Sequence, residues 1–346
     1  MKQTSLCATA RCRRRGTGKT ISAAFPPATE TAPPAVAAGP LQVLRFAPEG
    51  AVPLAANLII TFSQPMVAVS SQEAASKNVP VRVSPQPQGR WRWIGTRTLQ
   101  FDPDGRFPMA TSYSVTVPAG TRSASGSEFS ASTSWNFTTP APTVKSTFPE
   151  KDGKGPGDTL LFVAFDQRID PAAVVKTMRL RAGNLQMKAR LATSEEIKAN
   201  KEVSKLAQLS EAGRWLAFRA VSSTATHADV ALPPGARVTV SVGPGTPSAE
   251  GPRLSTKAQS FSFRIHGPLR VIKHECDEHK ICDPSDSFDI KFSNPLDAAA
   301  FKLSQVKVDP AIEKMKTSIF YNTLTIAGVI KSQTVYRVYT PRSRTR

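Results

Sequence analysis

Ile59-Ile60-Thr61-Phe62-Ser63-Gln64-Pro65-Met66 is echoed by Phe162-Val163-Ala164-Phe165-Asp166-Gln167-Arg168-Ile169-Asp170, and again by Asp289-Ile290-Lys291-Phe292-Ser293-Asn294-Pro295-Leu296-Asp297. Each copy is an alternating apolar run that closes on Phe, followed by a polar pair, then Pro or Arg and an apolar residue. Alternation places one face of a strand on a core, and a proline ends the strand because it has no N–H to give to the ladder. The phenylalanines at 62, 165 and 292 are spaced by roughly one sandwich domain each, about 100 residues.

The text around these runs repeats as well. In the first unit come Val79-Pro80-Val81-Arg82-Val83-Ser84-Pro85, Arg90-Trp91-Arg92-Trp93, Thr98-Leu99-Gln100-Phe101, Thr111-Ser112-Tyr113-Ser114-Val115-Thr116-Val117 and Ser134-Trp135-Asn136-Phe137-Thr138. The second answers with Arg214-Trp215-Leu216-Ala217-Phe218, Ala236-Arg237-Val238-Thr239-Val240 and Ser260-Phe261-Ser262-Phe263-Arg264. The third gives Val306-Lys307-Val308-Asp309, Thr323-Leu324-Thr325-Ile326 and Thr334-Val335-Tyr336-Arg337-Val338, then Arg342-Ser343-Arg344-Thr345-Arg346 where the last strand is expected. The reading is therefore all-β: tandem immunoglobulin-like antiparallel sandwiches, two complete and a third cut short. An incomplete sandwich leaves an unpaired edge, so residues 268–346 are expected to fold poorly or aggregate.

One segment departs from the β pattern. Residues 194–207 carry Ile197, Val203 and Leu206 on one helical face, with Thr193 or Ser194 as cap, and predict one short helical insertion packed on the second unit. The predicted divisions are a basic, Pro- and Ala-rich disordered lead over 1–40, sandwiches over 41–140 and 141–267, an incomplete sandwich over 268–340, and a basic tail over 341–346.

The 346 residues carry a formal charge of +19, with 29 Pro and 20 Gly. Six of those charges (Lys2, Arg11, Arg13, Arg14, Arg15, Lys19) and four more (Arg337, Arg342, Arg344, Arg346) sit at the two ends without an acid among them. The middle is only mildly basic, which argues against nucleic acid as a partner. No run of 18 apolar residues exists to span a membrane. The basic start resembles the first region of a signal peptide, but no apolar stretch follows, so either the true start lies elsewhere or the chain carries no export signal of its own.

Val43 to Pro140 resembles the bacterial Ig-like domain that opens bacterial alpha-2-macroglobulins, most tellingly in Phe62-Ser63-Gln64-Pro65-Met66, Trp91-Arg92-Trp93 and Thr111-Ser112-Tyr113-Ser114-Val115. The third unit, with Cys276, Cys282 and Phe292-Ser293-Asn294-Pro295-Leu296-Asp297, looks like a later macroglobulin domain, and the resemblance covers about residues 41–340. It implies a periplasmic, extracellular or lipid-anchored location. It also implies a place in a larger protein that traps proteases through a bait segment and, in many members, a Cys–Gln thioester. The Cys-x-Glu-Gln run of that thioester is missing, and Cys276-Asp277-Glu278-His279 supplies no Gln. The expectation is a scaffold, with proteases or other domains of a larger protein as partners, and not an inhibitor on its own.

Candidate chemistry is sparse. Gly16-Thr17-Gly18-Lys19-Thr20 ends like a phosphate-binding loop, but Arg13 stands where its first Gly belongs and no strand precedes it. His274-Glu275-Cys276-Asp277-Glu278-His279-Lys280-Ile281-Cys282 holds the one cluster of metal-ligand types. Its histidines are five apart, not the four of a zinc protease, and four ligands within nine residues strain a tetrahedron. A zinc site, two free thiols and a Cys276–Cys282 disulfide all remain open on the residues; the disulfide is the default for an exported protein, and the resemblance implies the same. Cys7 follows Ser5-Leu6, faintly like a lipoprotein cleavage site, and Cys12 lies in the same basic lead.

His227, His266, His274 and His279 accompany no nucleophile turn. Asp102/Asp104 and Asp283/Asp286 read as turn residues. Trp91, Trp93, Trp135 and Trp215 read as core, with Trp93 and Phe101 on one buried face and Arg92 on the other, rather than as a sugar platform. No catalytic, cofactor or metal residue is assigned, and oligomeric state is left at monomer or unknown. A surface adhesion or carbohydrate-binding module is the main alternative function, and an inactive broken gene product is a third.

Overall fold

The computed structural model describes residues 39–68, 72–222, 231–276 and 282–339. In the first unit the chain runs through β1 (Val43–Ala47), β2 (Gly50–Ala51), β3 (Leu58–Phe62), the short helix α1 (Gln72–Ala75), β4 (Arg82–Ser84), β5 (Gly89–Ile94), β6 (Thr98–Pro103), β7 (Ser112–Val117) and β8 (Thr133–Thr138). Two sheets form, ordered β1-β3-β6-β5 and β2-β8-β7-β4. The alternation in β3 is realised: Leu58, Ile60 and Phe62 are fully buried, while Ile59 and Thr61 are only partly covered. They meet Trp93, Leu99, Phe101, Phe107, Tyr113 and Phe137 in one core.

The second unit comprises β9 (Val144–Phe148), β10 (Lys154–Gly155), β11 (Leu161–Phe165), α2 (Pro171–Lys176), β12 (Met178–Ala182), β13 (Leu185–Leu191), α3 (Ser194–Ala199), α4 (Lys201–Leu209), β14 (Trp215–Ser222), β15 (Arg237–Val242) and β16 (Gln259–Ile265). Its strands follow the order of the first unit with one difference. All eight join in a single sheet, β10-β16-β15-β12-β13-β14-β11-β9, because β12 and β13 pair as a hairpin across Gly183-Asn184. Gly183 has φ +58, the left-handed geometry such a tight turn requires. The first unit has Pro85 and Pro87 at the matching place, and prolines cannot sustain a ladder. One side chain links β16 to the far edge of this sheet: the Gln259 amide donates to Pro142 O (3.0 Å) and accepts from Val144 N on β9 (2.8 Å).

Every residue of β11 is buried, which a plain alternating strand does not explain. Leu161, Val163 and Phe165 face the core, whereas Leu160, Phe162 and Ala164 lie under Val203, with Ile197 and Leu206 against them. The helical segment thus covers the outer face, as its periodicity predicts. It is two helices rather than one, since Asn200 adopts an extended conformation (φ −96, ψ 106), ending α3 and capping Val203 N in α4 at 3.0 Å. Thr193 and Glu196 form a capping box on α3. A helix absent from the sequence reading, α2, starts where Asp170 caps Ala172 N (2.9 Å) and Pro171 occupies the first turn.

Glu196 also takes both guanidinium nitrogens of Arg190 (2.8 Å each) and Arg219 Nε (2.6 Å). The Arg190 hydrogen bonds outweigh the opposing effect of burial, and with Thr193 N and Arg219 they hold its carboxyl at about 2. A carboxylate with a depressed folded pKa stabilises the fold above the ordinary carboxylate range and loses that contribution as pH falls through the folded value. Glu196→Gln is therefore expected to expose the 193–209 amides to exchange at neutral pH, with the difference from wild type shrinking between pH 4.5 and about 2. A difference that persists unchanged at pH 2 contradicts this linkage.

The third unit contains β17 (Val271–Glu275), β18 (Phe288–Phe292), a 3-10 turn at Leu303–Gln305, β19 (Lys307–Asp309), β20 (Glu313–Phe320), β21 (Thr323–Val329) and β22 (Arg337–Tyr339). Its sheets, β17-β18-β21-β20 and β19-β22, repeat the first unit's order as far as they go. Ile290, Phe292, Val306, Val308, Ile312, Leu324 and Ile326 make a smaller core. A tyrosine corner marks the equivalence: Tyr113 Oη donates to Pro108 O (2.9 Å), and Tyr336 Oη accepts from Lys331 N (2.8 Å), each five residues upstream.

Candidate functional site: the clasps at the unit junctions

The polar pair that follows each repeated Phe has one structural task, performed three times. Its first residue ties the end of the core strand to the start of the unit: Ser63 N donates to Gln42 O, Asp166 N to Thr143 O and Ser293 N to Arg270 O, at 2.8–3.1 Å. Their side chains return the favour, accepting from Gln42 N, Thr143 N and Arg270 N at 2.9–3.0 Å. The second residue is an amide that holds the chain entering the unit. Gln64 Nε2 donates to Gly39 O, Gln167 Nε2 to Pro140 O (3.2 Å) and Asn294 Nδ2 to Gly267 O (2.7 Å).

In the first two units the other end of the amide is satisfied by serines in the loop before the last strand. Gln64 Oε1 accepts from Ser123 (3.0 Å) and Ser125 (2.8 Å), and Gln167 Oε1 accepts from Ser248 (2.8 Å). Both glutamines are buried, a position a side-chain amide tolerates only when its donor and acceptor are matched.

Between the first and second units the clasp grows into an interface. Glu250, 5% exposed, reaches from the loop between β15 and β16 to the first unit, where Arg106 Nη1 lies at 2.9 Å from Oε2 and Arg106 Nη2 at 3.0 Å from Oε1. Its oxygens also accept from Met109 N (3.1 Å) and Arg168 N (2.8 Å). Burial pushes the Glu250 carboxyl up, but the Arg168 and Met109 N–H groups and the Arg106 charge prevail and hold it below the usual range. Arg253 adds a backbone bond to Ala110 O (2.8 Å) and a guanidinium bond to Thr139 O (2.5 Å). Ala110 takes a left-handed φ of 54 at this contact. A Cβ on Gly251 would collide with Met109 O, Ala110 O and Thr111 Oγ1, so only glycine permits the approach.

The residue types weighed for chemistry in the sequence, none of them assigned a catalytic or metal role, are scattered. Cys276 and Cys282 are joined as a disulfide with Cα atoms 5.4 Å apart, and exposed His274 stands on β17. His279, Asp277 and Glu278 lie outside the described residues, as do Cys7, Cys12, His227 and the segment 16–20. Among the described residues no group of three or more His, Cys, Asp or Glu could hold a metal. Asp102 belongs to β6 and not to a turn; it pairs with Arg92 at 2.7 Å, because the β5–β6 register sets residue 92 diagonal to it. Asp283 N donates to Asp286 Oδ2 (2.7 Å), the turn role expected of that pair.

The tryptophans face the protein: Trp93 is buried, Trp91 packs on Phe101 (4.9 Å between centroids), Trp135 on Phe46 (4.3 Å) and Trp215 on Phe162 (5.5 Å). Sequence reasoning quoted the polar pair only as a strand ending and passed over Glu250 and Arg253. The signal was there in the pair's recurrence, always directly after the buried Phe.

Residues 37–139 match the family described as Bacterial Ig-like domain. No curated protein matches the chain. Among solved structures, an L,D-transpeptidase from Mycobacterium tuberculosis is 21% identical over 44% of this chain and 59% of its own, with a TM-score of 0.22. Native alpha-2-macroglobulin from Escherichia coli, in a piece spanning domains MG0-NIE-MG1, is 12% identical over 88% of this chain and 97% of its own, with a TM-score of 0.23. The I9–I11 tandem of titin is 8% identical over 88% and 95%, with a TM-score of 0.25. The chain thus spans less than two thirds of the transpeptidase, and TM-scores this low carry no argument about function. The Ig-like unit is followed by two further, mostly β units whose strands repeat its order as far as they go. Among the described residues no helix is long and apolar enough to cross a membrane.

Proposed function

We propose that this chain is a non-catalytic scaffold of the cell envelope, made of serial sandwiches bounded near 41–140, 141–267 and 268–340, that presents surfaces to protein partners. In its finer form the reading places the chain at the front of a macroglobulin-like protease trap, with proteases or further domains as the partners. The observation that carries the scaffold is the seat of Glu250, a nearly buried carboxylate of the second unit whose ligands come from both units. Such a clasp fixes orientation, which a partner-presenting array needs and a flexible string of modules lacks. The motif resemblance of residues 43–140 supports the finer form, and the Cys276–Cys282 bridge suits an oxidising compartment.

Spin labels on Ser114→Cys and Arg179→Cys, in a Cys7→Ser/Cys12→Ser background, test it. A narrow distance distribution is expected, and a broad one removes the scaffold reading. Incubation with endopeptidases of several classes is expected to leave their activity intact, since the chain alone has no trapping chemistry. Inhibition by the isolated chain overturns that part.

A further inference from the structure

The middle of the chain is only mildly basic, but its charge is not spread evenly. In the second unit β16, β15 and β12 lie side by side, and along each strand buried positions alternate with outward ones. Outward from β12 stand Arg179 and Arg181, from β15 Arg237, Thr239 and Ser241, and from β16 Ser260, Ser262 and Arg264. The register sets them in rows: Arg264 beside Arg237, Ser262 beside Thr239 and Arg181, Ser260 beside Ser241 and Arg179. Short hydroxyl side chains therefore form a floor, where Ser241 and Ser260 lie in hydrogen-bond contact at 2.8 Å, and the longer arginines border it along one side and one end. Exposed Lys154 on β10 and Lys188 on β13 extend the charge on either flank. Of these cations, Arg237 has an ion-pair partner among the described residues, Asp152 at 3.0 Å, and the others have none.

The fold does not ask for these charges. The pair Tyr113–Phe137 of the first unit matches Val238–Phe263 of the second, and Val83–Val115 matches Leu180–Val240. On that alignment Ser112 stands at the place of Arg237, Thr138 at that of Arg264 and Ser84 at that of Arg181; only Arg82, matching Arg179, is also an arginine. The same sheet thus forms with hydroxyls where the second unit sets guanidinium groups. Like charges directly opposite one another, as at Arg237 and Arg264, disfavour the sheet, so their presence is accounted for by an anionic partner and not by packing.

The face also narrows the chemistry of that partner. Among the described residues no apolar or aromatic side chain points outward from these three strands, so nothing is offered for insertion into a bilayer or for stacking on a base. The groups it does offer are guanidinium forks, which match carboxylates through paired bonds, and hydroxyls, which both give and accept. We propose that the β16-β15-β12 face binds an acidic polysaccharide, a polymer of hydroxyl-rich sugars bearing carboxylates. The carboxylates pair with Arg179, Arg181 and Arg264, and the sugar hydroxyls meet the serine and threonine floor. Arg179 and Arg181 are about 6.6 Å apart along their strand, so both are reached by one polymer lying across the face. The inference goes beyond the scaffold reading and uses neither the Glu250 clasp nor the third unit.

The probe is polygalacturonate, titrated into the full chain by calorimetry at low ionic strength, where binding is expected. Arg181→Ser with Arg264→Thr installs residue types the first unit carries at the matching places, and is expected to weaken binding at least about tenfold. Arg179→Gln, a single exposed replacement, is an independent check expected to move affinity the same way. Lys201→Gln with Lys205→Gln removes two charges from exposed positions of α4, away from the face, and is expected to leave affinity unchanged. Because the basic ends are intact in every variant, their general attraction for polyanions cancels in the comparison. Methyl-esterified polygalacturonate, its carboxylates capped, is expected to lose binding as the Arg181→Ser/Arg264→Thr chain does. Equal losses from the face and helix substitutions, or full binding by the methyl ester or by the face variants, overturn the proposal. Duplex DNA or anionic vesicles that bind more tightly than polygalacturonate, and through the same arginines, overturn the choice of ligand.

Discussion

Glu250→Ala is expected to destabilise the contact between the first two units by about 3–5 kcal/mol, the range for removing one partner of a buried ion pair. The loss has three parts: the Arg106 guanidinium keeps its cost of burial without its counter-charge, and the Met109 and Arg168 N–H groups lose their acceptor. Glu250→Gln preserves the shape but not the chemistry, since one oxygen and one NH₂ cannot accept from donors on both sides. It too is expected to lose stability, by a smaller amount.

Residue-resolved amide exchange reads the result, with faster exchange at Met109, Arg168 and Arg253 and an unchanged interior of the first unit. The contact is also acid-sensitive with a definite sign. Because the Glu250 carboxyl is held below the usual range, its contribution is present above that range and disappears as pH falls through the lowered value. A loss under about 0.5 kcal/mol, typical of a surface substitution, contradicts this account.

Phe107→Ala is expected to cost the first unit about 3–5 kcal/mol. Phe107 is fully buried and touches three other rings: Phe101 at 5.6 Å, Tyr113 at 5.0 Å and Phe137 at 5.1 Å, the last two edge-on. Edge-to-face contacts of this kind add to area burial, so the hub loses more than one isolated ring. Its backbone N–H also donates to Ala55 O at 3.0 Å, which ties the loop to the core and leaves little freedom to close the cavity. Calorimetry should show the transition of the first unit moved down while that of the second moves little. A single transition shifted as a whole would instead mean that the clasp couples both units into one cooperative block.

Phe107 also shows where the sequence was readable and where it was not. Strands with period-two alternation, such as Leu58–Phe62 and Ser112–Val117, declare their buried face in the text, and the threefold repeat gives their order. Phe107 sits in a loop after Pro103-Asp104-Gly105, where no period exists, so its burial is a matter of tertiary packing. The same holds for Glu250: nothing local distinguishes a carboxylate that will be desolvated from one in a solvated turn. The helical face of 194–207 was legible from Ile197, Val203 and Leu206. The break at Asn200 was not, because an Asn that ends one helix and caps the next differs from a tolerated mid-helix Asn only in its backbone. The joining of the second unit's two sheets turned on Gly183-Asn184, a hairpin signal passed over beside the stronger strand repeats.

That hairpin bears on the order of events as the polypeptide collapses. A two-residue turn closes quickly because its ends are close along the chain, whereas pairings such as β3 with β6 must await a long excursion. In the first unit no strand pair joins the two sheets, since prolines stand between β4 and β5. In the second unit β12 and β13 zip locally and carry the seeds of both sheets with them, one on each side of Gly183-Asn184. The second unit is thus the one whose two sheets are tied by a local turn, and the loop of its last hairpin, bearing Glu250, meets Arg106 and Met109 of the first unit.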